Sequence, residues 1–494
     1  MTARTTSLAA LGLTAQGGRK AAITGLCADS REVRPGHLFA ALPGTRVHGA
    51  EFVGYALRMG AAAVLTDAEG ARIARAALAG HEAALVVAED PRQALAFAAA
   101  LWFGAQPETV VAVTGTNGKT SVASFTRQLW TAMGHEAINI GTTGVEGAWQ
   151  APLSHTTPDP ITLHRVLAEA AAAGVSHAAM EASSHGLDQR RLDGVRLAAA
   201  GFTNISRDHL DYHPDFASYF AAKAGLFERV LSEDGVAVIN IDDAQGARMA
   251  ALARGRGQEV LSVGRSESAV LRILAQSFAP TGQVLRFQWQ GRLAQAELAL
   301  IGGFQAENAL LAAGLAIGAG GDPERVFEAL ALLRTVRGRM QLAARRRNGA
   351  AVFVDYAHTP DALATALGAL RPHVLGRIVA VIGAGGDRDR PKRPLMGRAA
   401  AAHADLVIVT DDNPRSENPA TIRAEVLAGC PGAREVGDRA EAILCGVDAL
   451  GPGDALLICG KGHETGQVVG DAIYPFDDAE QASMAVAALD GVRP

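Results

Sequence analysis

The feature that most constrains this chain is a repeated coincidence: one short apolar run after another ends in a polar motif. Val110-Val111-Ala112-Val113 runs into Gly115-Thr116-Asn117-Gly118-Lys119-Thr120-Ser121, and Ala178-Ala179-Met180 runs into Glu181. Ala200-Gly201-Phe202 leads into TNISRDHLD, and Val352-Phe353-Val354 into Asp355-Tyr356-Ala357-His358. The C-terminal third has the same habit, with IVAVIG before AGGDRDR, LVIVT before DDNPR and ALLIC before GKGHE. Longer Ala/Leu-rich helical patterns separate these runs, so the chain reads as α/β units around largely parallel sheets. Such sheets bind ligands outside the carboxyl ends of their strands. Two sheets loaded in this way predict one cleft between domains.

A chain of 494 residues is too long for one hydrophobic core and predicts about three domains. Breaks near Gly104-Ala105-Gln106-Pro107 and between Arg334 and Asn348 divide it at 1–106, 107–337 and 338–494. The net charge of -5, without a long basic run, argues against a nucleic acid or a membrane surface as partner and for small-molecule chemistry. Cys27, Cys430, Cys445 and Cys459 have neither metal-ligand nor disulfide-framework spacing. With no signal pattern and no long apolar run, the expectation is a soluble cytoplasmic protein working as a monomer.

Of the 46 basic residues only five are lysines: Lys20, Lys119, Lys223, Lys392 and Lys461. Arginine replaces lysine at little cost on a solvated surface, but not where a compact ammonium or a deprotonable amine is needed. Lys20 sits in a featureless stretch, whereas the other four fall in or beside motifs.

Between an apolar strand and a helix with Val122, Phe125 and Leu129 on one face, Gly115–Ser121 reads as a phosphate-binding loop. Its glycines let backbone N–H groups close on phosphate oxygens, Lys119 suits the β/γ-phosphates and the Thr120 hydroxyl suits Mg²⁺. Val113 stands where the usual spacing has its first glycine. ATP is the expected nucleotide. Glu181 and His209 offer a carboxylate and an imidazole for Mg²⁺, although a lone histidine is often structural. Lys223 fits a cation site only as a carbamate, formed by CO₂ on its amine, which arginine could not provide. Asn308, Arg339 and Asp355 suit the adenine edge, the polyphosphate and the ribose hydroxyls, and each is equally a loop residue or a cap. Gly383-Ala384-Gly385-Gly386-Asp387-Arg388 departs from a dinucleotide fingerprint because Arg388 occupies its third glycine. Asp412-Asn413-Pro414-Arg415 fits recognition of a free carboxylate, and Glu464 in Gly460–Glu464 fits an ammonium. Together these loops suit a zwitterionic amino acid.

Across nearly the whole chain the motifs resemble the Mur ligases, and within them the diaminopimelate-adding type. The carrying segments are DSREVRPGHLFAALPG (29–44), TGTNGKTS, TTPD (156–159), MEASSHGLDQRR, DHLDYH, GRM, DYAHTPD, GGDRDRPKRPLMG, DNPRSE and GKGHE. The resemblance implies an N-terminal α/β domain for a uridine nucleotide, a central phosphate-loop ATPase with a mostly parallel sheet, and a C-terminal Rossmann-like domain for an amino acid. By the same similarity Ser30, Thr156, Thr157, Ser183, Gln189 and Arg191 would bind UDP-N-acetylmuramoyl-L-alanyl-D-glutamate. Gly115 to Ser121, Asn308, Arg339 and Asp355 would bind ATP. Lys119, Lys223, Glu181 and His209 would be catalytic, with Thr120, Glu181, His209 and carbamylated Lys223 organising two Mg²⁺ ions. Arg388, Asp412, Asn413, Pro414, Arg415, Gly460 and Glu464 would bind meso-diaminopimelate, with Arg415 on the distal carboxylate that lysine lacks. Ala384, Gln341 and His155 depart from the family's frequent Cys, Glu and Asn, and His155 puts one muramoyl contact in question.

The implied reaction belongs to peptidoglycan precursor synthesis. The γ-phosphoryl of ATP passes to the D-glutamyl γ-carboxylate, and the diaminopimelate amine displaces phosphate from the acyl phosphate, with domain closure excluding water. An L-lysine-adding ligase is the nearest alternative, disfavoured by Arg415. A folylpolyglutamate synthase would share the ATP chemistry, but the DSREVRPG segment (29–36) and the TTPD and DNPR motifs do not suit it. A non-catalytic, nucleotide-switched binding protein would bind ATP without amino-acid-dependent turnover.

Overall fold

The computed structural model describes residues 5–44, 46–206 and 212–491. They divide into two compact units, one of residues 1–262 with 314–321 and the other of 263–313 with 322–494.

The first unit holds two principal sheets and a short antiparallel pair, Thr6–Ser7 with Ala22–Ile23. Near the N-terminus, strands Gly25–Cys27, His37–Ala40, Ala63–Thr66 and Ala84–Val87 pair in chain order and all in parallel. Helices Ala68–Leu78 and Pro91–Phe103 follow the last two strands, capped by the side chains of Asp67 and Asp90. Each carboxylate accepts a first-turn N–H that has no partner inside the helix. Asp90 also accepts from Arg190 Nε at 2.7 Å, and Gln93 Nε2 donates to Asp193 at 3.0 Å, so this helix is tied to the 190–193 turn.

Within this unit the second principal sheet runs Glu259–Gly264, Val236–Asn240, Ala199–Phe202, Thr109–Thr114, His177–Glu181, Ala137–Gly141, Gly144–Gly147. From Val236–Asn240 to Ala137–Gly141 the pairings are parallel, and the terminal hairpin is antiparallel. Thr109–Thr114 is the earliest of these strands in the chain yet lies inside the sheet, between two strands that are not its neighbours in sequence. That makes its carboxyl end a topological switch point, where connections diverge and leave a crevice. The strand is apolar because both faces are covered, with Val110 to Val113 all at most 1 % exposed. Val122, Phe125 and Leu129 of helix Lys119–Ala132 are buried as the periodicity predicts.

The second unit carries an antiparallel meander, Leu271–Ala279, Gly282–Trp289 and Arg292–Leu298. Its principal sheet runs Gln341–Arg345, Ala351–Asp355, Ala455–Cys459, Ile378–Ile382, Leu406–Val409, Arg434–Glu435, and only the first strand is antiparallel to its neighbour. The meander is an addition to the parallel α/β expectation. Exposed apolar positions, such as Leu274 at a shift of register and Leu293, blur the alternation that would mark it in the sequence. A small hairpin, Gly466–Val469 with Ala472–Pro475, follows the last central strand.

The principal sheet of the second unit is closed at one side by a fully buried ion pair, Arg439 with Asp478, in which Nε and Nη2 each donate at 2.7 Å. Arg439 Nη2 also donates to Cys459 O at 2.9 Å, which joins the helix Arg439–Asp448 and the helix Asp478–Asp490 to the end of strand Ala455–Cys459. A buried charge left without its partner is costly, whereas an apolar pair of similar volume is tolerated. Arg439→Met is therefore expected to destabilise the protein by about 3–5 kcal/mol, read as a lower urea midpoint. Adding Asp478→Leu to Arg439→Met should recover most of that loss, and a double variant no more stable than the single one would contradict the account.

Candidate functional site

The switch point of the first unit gathers the phosphate-loop residues. Gly115 leaves the strand at φ 150, and a Cβ there would overlap Thr203 Oγ1. Gly118 takes the left-handed conformation, φ 88, and starts helix Lys119–Ala132 without a side-chain cap. An uncapped helix start following a glycine turn presents N–H groups and positive dipole to an anion. The neighbouring strand end braces the loop: Asn204 Oδ1 accepts from Asn117 N at 3.0 Å, and Thr203 Oγ1 donates to Asn117 O at 2.6 Å. Tyr219 OH lies 3.0 Å from Thr116 Oγ1.

Two lysines converge on this loop. Lys119 Nζ donates to the carbonyls of Gly115 and Thr116, both at 2.8 Å. Lys223, 1 % exposed on helix Phe216–Gly225, donates to the same Gly115 carbonyl at 2.7 Å and lies 4.6 Å from the Tyr219 ring centre. Two like charges on one carbonyl repel each other in a poorly solvated place.

On the other flank of the central strand, Glu181 is 2 % exposed. It accepts from Thr142 N at 2.8 Å and from Thr120 Oγ1 at 3.0 Å, and Gly141 lacks the Cβ that would overlap its Oε1. A buried carboxylate beside a loop hydroxyl is an all-oxygen set that fits a hard divalent cation. His209 lies outside the described residues. Thr142, Thr203, Asn204 and Tyr219 were not singled out in the sequence. Thr142 follows a strand end, as the other motifs do, and Tyr219 precedes Lys223 by one helical turn, so both carried a readable signal.

The residues expected around the muramoyl dipeptide separate into two groups. Thr156 Oγ1 lies 3.0 Å from Thr142 Oγ1, one step from Glu181. Thr157 is buried and its hydroxyl is used internally, donating to Glu181 O at 2.9 Å and accepting from Ser183 N at 3.0 Å. Ser183 caps the short helix Ser184–Asp188, and Arg191 is held by Thr157 O at 2.6 Å and Gln189 Oε1 at 2.8 Å. Gln189 in turn donates to Tyr212 OH at 3.1 Å. Thr157, Ser183, Gln189 and Arg191 thus form one braced turn beside Glu181. Ser30 stands apart, half-buried in a 3-10 turn capped by Asp29 between two strands of the N-terminal sheet.

The second unit holds the remaining residues. Asn308 is buried in helix Phe304–Gly318 and donates to Gln305 Oε1 at 2.9 Å. Asp355 accepts from the backbone N–H of Met340 at 2.7 Å and of Ala357 at 2.9 Å. Burial pushes its carboxyl up, against the pull of Arg339 and of those N–H groups. Arg339 stacks on Tyr356 with its guanidinium carbon 4.8 Å from the ring centre. Gly338 has φ 68, and its missing side chain gives room to Gly462 and His463, which brings the GRM and GKGHE motifs together. Gln341, a departure from the family, accepts from Gly338 N at 2.8 Å and closes that turn.

The strand-end loops after Val409 and Cys459 also meet. Asn413 Nδ2 donates to Glu464 Oε2 at 2.8 Å, and Gly460, at φ 115, has no Cβ to overlap Asp412 Oδ2. Arg415 adopts φ 51, donates from its backbone to Val468 O at 3.0 Å and from Nη1 to Gly386 O at 2.8 Å. Gly386 is needed because a Cβ there would overlap Pro414 O. Arg388 is exposed on the adjoining loop. A non-glycine residue held at positive φ is strain that its surroundings over-determine, a pattern common at ligand clamps. Carboxylates at Asp412 and Glu464 and guanidinium groups at Arg388 and Arg415 can meet both charges of an amino acid.

Residues 113–316 match the Mur ligase middle domain, 338–462 the Mur ligase glutamate ligase domain, and 22–102 the catalytic domain of the Mur ligase family. A protein of Bradyrhizobium diazoefficiens named UDP-N-acetylmuramoyl-L-alanyl-D-glutamate--2,6-diaminopimelate ligase is 51 % identical over 469 residues, 94 % of this chain and 95 % of the relative. A protein of the same name from Caulobacter vibrioides is 49 % identical over 95 % of this chain and 96 % of its own. A solved structure bearing that name superposes with a TM-score of 0.74 at 35 % identity, covering 98 % of this chain and 99 % of the other. A MurF ligase from Thermotoga maritima in complex with ADP shares the fold, with a TM-score of 0.59 at 19 % identity over 89 % and 94 % of the two chains.

The phosphate loop generates a direct test. Gly115→Ala places a methyl group on Thr203 Oγ1 at a φ that L-residues rarely adopt. We expect ATP affinity, measured by calorimetry, to fall at least about tenfold, or about 1.4 kcal/mol, with an unchanged circular dichroism spectrum. Unaltered affinity would show that this turn does not shape the nucleotide site.

Proposed function

The chain belongs to the Mur ligase family, and from that premise we propose that it is the ATP-dependent ligase that joins meso-diaminopimelate to the D-glutamyl γ-carboxylate of UDP-N-acetylmuramoyl-L-alanyl-D-glutamate. The observation that carries the reading is 51 % identity over 94 % of the chain to a protein of that printed activity. Asp412, Asn413, Pro414, Arg415 and Glu464 are arranged here to suit an amino acid with a second charged end. Among the described residues no helix is long and apolar enough to cross a membrane. We place the reaction in the cytoplasm. We assign the uridine nucleotide to residues 1–106, ATP to 107–337 with Arg339 and Asp355, and the amino acid to 338–494.

In this reading the Gly115–Ser121 backbone and Lys119 hold the β/γ-phosphates and spread the charge that moves with the γ-phosphoryl group. The D-glutamyl γ-carboxylate attacks phosphorus, the bond to the β-phosphate oxygen breaks, and an acyl phosphate and ADP result. The amine of diaminopimelate then attacks the acyl carbon, loses a proton and expels phosphate, which leaves the amide. Asp412 and Glu464 orient the amino acid's ammonium group and Arg415 its distal carboxylate. Thr120 and Glu181 would hold Mg²⁺, together with His209 and Lys223 as a carbamate. When bound, Mg²⁺ supplies positive charge to the polyphosphate and the transferring group.

The setting of Lys223 supports its carbamylation. The amine nitrogen bonds the carbon of CO₂ and releases a proton, so a cation repelled by Lys119 becomes an anion attracted to it. Lys223→Ala is expected to lose most activity and regain part of it with added short carboxylates, and no recovery at any concentration would count against the carbamate.

Arg415 tests the choice of amino acid. Arg415→Ala should lower kcat/KM for diaminopimelate by about 100-fold while changing that for L-lysine little. An unchanged ratio between the two amino acids would overturn the assignment of Arg415, and equal use of both by the native protein would overturn the substrate.

A further inference from the structure

Lys461 is one of the few lysines in an arginine-rich chain, and its side chain is fully buried at 0 % exposure. Burying an ammonium is expensive unless its N–H groups are matched, and all three are. Nζ donates to Asn413 Oδ1 at 3.2 Å, to Glu464 Oε2 at 3.1 Å and to Gly466 O at 2.5 Å. These acceptors come from the loop after strand Leu406–Val409, the loop after strand Ala455–Cys459 and the first residue of the Gly466–Val469 hairpin.

The hub is closed by two further bonds, from Asn413 Nδ2 to Glu464 Oε2 at 2.8 Å and from Val468 N to Asn413 Oδ1 at 2.9 Å. Both polar atoms of the Asn413 side chain and one oxygen of the half-buried Glu464 are therefore fixed from within the protein. Val468 O also accepts from Arg415 N, so the hairpin that Lys461 anchors sets the backbone of Arg415 at its strained φ of 51. A guanidinium is planar and longer, and cannot reproduce three bonds that converge on one nitrogen.

We propose that Lys461 is a positioning residue for the amino-acid site: it makes no contact with substrate but holds Asn413, Glu464 and, through the hairpin, Arg415 in the geometry that binds diaminopimelate. The inference rests on the reading of this site given above. Its signature is a change in the use of one substrate out of three.

The test uses the full chain as Lys461→Met, which keeps most of the length and removes the donors. KM is measured for diaminopimelate, ATP and the UDP-muramoyl dipeptide, alongside isotope exchange between ADP and ATP in the presence of the dipeptide and absence of any amino acid. The expected result is a KM for diaminopimelate raised about tenfold or more, with KM for the other two substrates and the exchange rate close to native. Lys461→Gln, which keeps two N–H donors, should give a smaller rise and carries the same comparison should the methionine variant not fold. An unchanged KM for diaminopimelate, or an equal rise in all three, would overturn the proposal. A native protein that exchanges ADP with ATP but ignores diaminopimelate would overturn the substrate reading first, and this inference with it.

Discussion

The phosphate-loop site of the first unit depends on the strand Thr109–Thr114 being hydrogen-bonded on both edges to strands distant from it in sequence. Because its neighbours end at Glu181 on one side and at Phe202, before Thr203 and Asn204, on the other, a carboxylate and a loop brace arrive together at the phosphate loop. The same crossing leaves Gly115 O as the acceptor for both Lys119 and Lys223. Parallel pairing dictates this convergence, since only strands running the same way place their carboxyl ends at one edge of the sheet.

The second unit solves a different problem with the same architecture. Its strand-end loops bring charges of both signs to close quarters. Lys461 and Asn413 both donate to one oxygen of Glu464, and the carbonyls of Val468 and Gly386 accept from Arg415. Glu464 and Arg415 are thus each tethered by groups of the neighbouring loops and the hairpin. Four glycines, at 338, 386, 460 and 462, let these loops approach more closely than any side chain would allow.

Much of this was legible in the sequence, for a physical reason: buried parallel strands are nearly continuous apolar runs, and their ends are where polar residues become both allowed and useful. The strands before Gly115, Glu181, Asp355 and Asp412 were readable on that ground, as was the apolar face of helix Lys119–Ala132. The meander at 271–298 was not, because its alternation is interrupted and one face is open to solvent. Within the site, Thr157 read as a ligand group, yet its hydroxyl is used between Glu181 O and Ser183 N. Spacing reveals that a hydroxyl lies near a strand end, but not which backbone groups it must satisfy there. Scarcity of lysine was the more informative signal, since Lys119, Lys223 and Lys461 each bring a compact ammonium to carbonyl or carboxylate oxygens, while Lys20 is simply exposed.

Phosphoryl transfer by this ligase is coupled to an amino acid with two charged ends, and phosphate release reads that coupling directly. Phosphate release from ATP, with UDP-N-acetylmuramoyl-L-alanyl-D-glutamate present, should be compared with meso-diaminopimelate, with L-lysine and with no amino acid. Sustained release with diaminopimelate alone is the predicted result. Equal release with lysine would contradict the role given to Arg415, and release with neither would contradict the ligase assignment itself.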